Sequence, residues 1–189
     1  MATPVLFISE SYLKDSTLLH ENIDFKYLRP VIIMCQDIYV QPKLGSTLYD
    51  EIKTQIIGNS LTTANQTLLD DYIQPCLRYW IESEAPTAIS YKFLNKGLMQ
   101  QSSENASTSS LDEINFISQK YRDKAEWYTE RLVRFLCENA SDYPAYQSPD
   151  SGLDVIRPEK DVYSTGIFLG NRYRSRSLQD KYRDGYIDY

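Results

Sequence analysis

One histidine, three cysteines and a scatter of carboxylates are what this 189-residue chain offers for chemistry. A hydroxyl or thiol nucleophile working through an imidazole base would have to use His20. His20 lies in a polar stretch beside Glu21 and reads as a surface residue. Cys35, Cys76 and Cys137 are far apart, and each sits in an apolar helical context. Without a Cys-x-x-Cys or Cys/His cluster they predict buried free thiols, not a zinc site or a disulfide framework. On a helix, Glu82 and Glu84 point about 200° apart, so they cannot act as a pair on one substrate. Asp70-Asp71 and Asp112-Glu113 fall near expected helix starts, where negative charge suits the helix dipole. Gly166 and Gly170 have polar flanks and read as turn glycines around a short strand, and no glycine-rich phosphate loop is present. No set of acid, base, nucleophile and metal ligands converges. The expectation is a protein that is not an enzyme and takes no cofactor and no metal.

The strongest binding signal is at the C-terminus. Arg172-Tyr173-Arg174-Ser175-Arg176 and Lys181-Tyr182-Arg183 interleave cations with aromatic rings. Such a pattern binds single-stranded nucleic acid by charge and stacking, or an acidic protein surface. Asp180, Asp184 and Asp188 dilute the charge and favour protein contact. Residues 1–156 hold 13 Lys/Arg against 21 Asp/Glu, and residues 157–189 hold 7 against 5. The acidic body should repel nucleic acid. Tyrosine is abundant, with 16 copies, seven of them in residues 143–189. Tyr combines a large apolar ring with a polar tip and suits partner contacts. The N-terminus shows no signal peptide pattern, and the apolar run Val31 to Cys35 is far too short to span a bilayer. A soluble protein made in a cytosol, with no membrane partner, is expected.

The elements that would position these groups are helices. Residues 5–8 read as a short strand or an arm, followed by a polar turn of helix around Glu10 to Lys14. A helix opened by Asp24 runs to about Gln41, with Leu28, Ile32, Cys35 and Tyr39 on one face. Pro42 and Gly45 should stop it. A shorter helix spans about Ser46 to Ile57 and ends at Gly58. Thr63-x-x-Gln66 resembles a capping box. The region behind it should be kinked or broken at Pro75 and Pro86 and end near Asn95-Lys96-Gly97. Residues 99–109 read as an exposed polar loop. Ser110-x-x-Glu113 is a second capping box. The helix after it steps by threes and fours from Leu111 to Phe135, and would be roughly 40 Å long. Beyond Asn139 no helical period survives; Val162 to Leu169 is open to a strand or hairpin. The fold class is therefore mainly α: a small bundle with a long central helix and an extended C-terminal arm. The expected division is a helical domain over 1–147 and an arm over 148–189.

A family resemblance rests on several runs taken together. These are Leu28-Arg29-Pro30, Gln36, Gln41-Pro42-Lys43-Leu44-Gly45 and Leu48-Tyr49. They continue with Ile73-Gln74-Pro75-x-Leu77-x-Tyr79-Trp80, Asn95-Lys96-Gly97, Tyr128-x-x-Arg131-Leu132, and Leu136-x-x-Asn139 followed by Tyr143-Pro144-x-Tyr146. Over about residues 5–147 the chain resembles a head–tail connector family of tailed phages, most like the versions in crAss-like and related phages of Bacteroidales. The resemblance implies a small helical bundle whose copies form a ring, typically of twelve, docked under the portal in the virion neck. Such a ring extends the DNA channel, through which packaged DNA passes without specific binding, and offers a platform for other neck or tail ring proteins.

The expectation is then a virion structural protein, made in the host bacterial cytoplasm. Tyr163, Phe168, Tyr173, Arg174, Arg176 and Tyr182 would be contact residues toward a neighbouring subunit, the portal or another ring protein. A coreless arm crossing to the next subunit suits a heterologous ring. The rival readings are a cytosolic helical interaction module and a single-stranded nucleic-acid-binding protein acting through the Arg/Tyr-rich end.

Overall fold

Ser9 opens the first helix: its hydroxyl accepts the Tyr12 amide, and α1 runs Glu10–Ser16. The computed structural model describes residues 4–20, 22–94, 97–100, 110–147 and 155–160. The remaining helices are α2 (Phe25–Cys35), α3 (Gln41–Leu44), α4 (Ser46–Ile57), α5 (Thr63–Leu68), α6 (Gln74–Ser90), α7 (Leu111–Glu138) and α8 (Pro144–Gln147). The protein is mainly helical, as its periods predict. Helix α6 packs against α2 and, most extensively, against α7. One apolar core runs from Phe7 to Tyr146 and draws on every helix from α1 to α8.

The expected stop at Pro42 is not where the helix ends. Residues Gln36–Val40 form a π turn, and the rod continues as α3 to Leu44. The second rod behaves the same way: α5, a π turn over Leu69–Ile73, and α6 follow one another without a break. Both π turns lead into Gln-Pro. Proline lacks an amide hydrogen, and its ring collides with the carbonyl four residues back. Widening the preceding turn moves that carbonyl aside, and the Gln amide bonds five residues back, Gln41 to Gln36 and Gln74 to Leu69. The two sites are a short internal repeat: Asp37-Ile-Tyr-Val-Gln-Pro-Lys-Leu44 and Asp70-Asp-Tyr-Ile-Gln-Pro-Cys-Leu77. Asp70-Asp71 therefore lies within a rod and not at a helix start. Pro86 is also carried inside α6 without ending it.

The first π turn has a positioning role. Gln36 is buried, accepts the Phe7 amide at 2.9 Å and donates to the Val5 carbonyl at 3.2 Å. Residues 5–8 are thus an arm held by one side chain, with Phe7 edge-on to Tyr49 at 4.9 Å. Helix α5 is capped by Thr62, one residue before the expected Thr63, and Gln66 turns instead to Asp70. The capping box at Ser110 is present in both halves, and α7 is 28 residues long.

Helix α6 ends at Ser90, short of the expected Gly97. Tyr91–Leu94 and Gly97–Gln100 pair as an antiparallel hairpin, with Tyr91 opposite Gln100. Residues 99 and 100 therefore belong to a strand and not to the expected loop. Beyond α7, a 3-10 turn over Ala140–Asp142 and α8 return Tyr143 and Tyr146 to the core.

Residues 155–160, part of the expected arm, lie on the body as a strap. The Ser46 amide donates to the Ile156 carbonyl, and the Ile156 amide to Ser46 Oγ. The Glu159 amide donates to the Pro42 carbonyl, and Lys43 pairs with Glu159 at 2.8 Å. Gly45 makes this corner possible: its φ is +77°, and a Cβ there would lie 2.7 Å from the Pro158 ring. The expected strand or hairpin around Ile167 lies outside the described residues.

Candidate interaction surface

The contact between α6 and α7 is built around one hydroxyl. Thr129 Oγ1 donates to the Ala125 carbonyl at 2.8 Å and accepts the Trp80 indole N–H at 3.0 Å. Cys76 Sγ lies 3.2 Å from the same oxygen. Thr129 and Trp80 are both buried, so this hydroxyl satisfies an indole donor that would otherwise be stranded. On the far side Trp80 stacks on Tyr39 at 3.7 Å, and Tyr39 donates to Glu84 at 2.7 Å.

Toward solvent, aromatic rings pair across the same side of α7. Tyr79 of α6 stacks on Tyr128 at 4.8 Å, and Tyr72 of the second π turn on Phe135 at 3.9 Å. Trp127 meets Tyr128 edge-on and is 59% exposed. Cations lie over these rings: Arg78 over Tyr79 at 4.4 Å, Lys124 over Tyr121 at 4.6 Å, and Arg131 over Tyr72 at 4.7 Å. A shallow groove of about 370 Å³ has Tyr72 and Phe135 in its wall and Trp127, Glu130, Arg131, Arg134 and Glu138 around it. Trp, Tyr and Arg around a partly desolvated depression are the residue types that dominate binding at protein interfaces.

The residues that the sequence offers for chemistry make the following contacts. His20 Nδ1 accepts the Asn22 amide on the surface. Burial pushes both Cys35 and Cys76 thiols up, Cys76 to about 11, which suppresses the thiolate. Cys137 is exposed, contrary to the buried thiol expected, and sits 3.6 Å from the Tyr146 hydroxyl. Glu82 is buried, accepts the Leu18 amide at 3.3 Å, and is pushed up mainly by desolvation. Glu84 faces Tyr39, so the two carboxylates serve different contacts. Desolvation and the Glu84 contact raise the Tyr39 hydroxyl to about 12. Among the described residues no group of His, Cys, Asp or Glu is arranged to hold a metal ion. None of their helices is long and apolar enough to cross a membrane.

All six expected contact residues, Tyr163, Phe168, Tyr173, Arg174, Arg176 and Tyr182, lie outside the described residues. The surface on α6 and α7 was not singled out by motif. Thr129 falls on the line Ala125, Thr129, Leu132 and Leu136, and that spacing marks it as core-facing. Trp127 breaks the apolar period, which is the mark of a large ring turned to solvent.

The fold and surface define a mainly helical protein with an aromatic and cationic face along its longest helix. The chain belongs to the DUF6712 family, a family of unknown function, which it matches over residues 40–154. The match takes in α3 through α8 and stops just before the strap. No curated protein and no solved structure matches the chain.

Proposed function

We propose that this protein is a virion structural subunit: one copy of a head–tail connector ring docked on the portal, extending the DNA channel and joining capsid to tail. The observation that carries the reading is the outer face of α7. Phe116 and Trp127 are 62% and 59% exposed, and at roughly 100° and 1.5 Å per residue they lie on one side, about 16 Å apart. Two large rings held in solvent on a rigid helix suit contact with another protein. The runs that resemble connector proteins supply the kind of assembly. The acidic body supports a channel that DNA slides past without sticking.

Mass spectrometry of gradient-purified particles from the phage encoding this chain tests the reading. The chain is expected in a fixed ratio to the portal protein. Its absence from particles while present in the infected cell would overturn the proposal in favour of a cytosolic interaction module.

A further inference from the structure

Helix α7 sorts its charges by side. At roughly 100° per residue, its buried residues Ile114, Ala125, Thr129, Leu132 and Leu136 face the body, and Phe116 and Trp127 mark the crest facing away. On one flank of the crest, within roughly 40° of arc, fall Lys120, Lys124 and Arg131, while Arg134 lies on the crest itself in line with Phe116. On the other, within roughly 60°, fall Asp112, Asp123, Glu126 and Glu130. Glu113 and Glu138 lie on the cationic side at the helix ends, and Glu113 is engaged in the capping box. Arg122 lies beyond the acidic flank and pairs with Glu126 at 3.7 Å. Arg134 pairs with Glu130 at 3.3 Å. Both are exposed pairs four residues apart, which contribute little and exchange readily. Among the described residues Lys120, Lys124 and Arg131 lie over rings and make no ion pair.

We propose that the outer face of α7 is a contact between copies of this chain, the cationic flank of one copy meeting the acidic flank of the next around the Phe116–Trp127 crest. This inference gives the proposed ring its subunit contact and in that sense rests on it. The charge pattern names the partner. Two unlike flanks on one helix are complementary when copies follow each other in the same sense, and put like charges together in a face-to-face pairing of cationic flanks. We take the contact as heterologous, the type that can close a ring, with the cationic flank of each copy against the acidic flank of the next. A nucleic acid fits less well: Asp112, Asp123, Glu126 and Glu130 run beside the same crest and would repel a phosphate backbone.

Charge reversal with rescue tests it. One variant carries Lys124→Glu and Arg131→Glu, so both flanks are acidic. The other carries Asp123→Lys and Glu126→Lys, which turns the acidic flank basic. All four residues are exposed, and circular dichroism should show unchanged helix content. In sedimentation velocity at low salt, the wild type should self-associate and each variant alone should do so at least tenfold more weakly. An equimolar mixture should recover association, because alternating copies then present opposite charge at every contact. Wild-type assembly with no recovery in the mixture, or assembly insensitive to both reversals, would place the contact elsewhere and leave the connector reading standing. No association in the wild type or the mixture would overturn the proposal, as would tight binding of a labelled DNA oligonucleotide lost with Lys124→Glu and Arg131→Glu in a protein that does not self-associate. Particle composition judges the connector reading separately.

Discussion

Thr129 shows how one side chain decides a helix contact. Replacing it with Val keeps the shape but strands the Trp80 indole N–H in a buried site, at a cost of about 1–3 kcal/mol. Thr129→Ser keeps the oxygen and should recover most of that loss; urea titration of both variants measures the difference. Gly45 is decided by backbone. An alanine there has to hold φ +77° and meets Pro158, so Gly45→Ala should destabilise by about 1–3 kcal/mol. Glu82 gives a pH signature. Desolvation raises its native pKa above the usual 4.5, so its contribution is fully present below that value and is lost as pH rises through the native one. Glu82→Gln keeps an acceptor for the Leu18 amide and should flatten the stability curve from pH 4.5 upward, as thermal melts across that range will show. An unchanged pH slope would mean that Glu82 is not the group responsible. Little of this was legible in advance. Burial at residue 129 can be counted from spacing, but its indole partner lies 49 residues away in sequence.

At the scale of elements, local signals served best where the partner is also local. Ser110 and Glu113 lie within one turn, and the capping box they predict is present. Ser110→Ala should cost about 1 kcal/mol, read as a lower midpoint in thermal unfolding. Proline alone overstates the break in these rods. Pro42 and Pro75 do remove a hydrogen bond, but a π turn ahead of each absorbs the collision and the rods continue. The repeated Asp-x-Tyr-[Val/Ile]-Gln-Pro pattern was the available clue. Each copy places its tyrosine against a ring on another element, Tyr39 on Trp80 and Tyr72 on Phe135. The hairpin after Ser90 escaped prediction because the helical reading was extended to the nearest glycine.

For the molecule as a whole, the mainly helical class followed from period alone, because a strong three-and-four spacing needs no knowledge of partners. The return of residues 155–160 did not, since the strap has no helical period and its partners Pro42, Lys43 and Ser46 lie more than a hundred residues back in the chain. Truncation after Asp154 should leave a folded body, whose core spans Phe7 to Tyr146. It should still lower the melting temperature, because the strap's hydrogen bonds to Ser46 and Pro42 and its ion pair with Lys43 are lost, as thermal melts of the full and truncated chains will show. If the proposal is right and a tailed phage encodes this chain, the assembly reading is tested most directly by cryo-electron microscopy of that phage's neck, reconstructed at first without imposed symmetry. The account predicts a ring beneath the portal whose density traces α7 with Phe116 and Trp127 against the adjacent copy. A well-resolved neck in which every density belongs to other chains would contradict it.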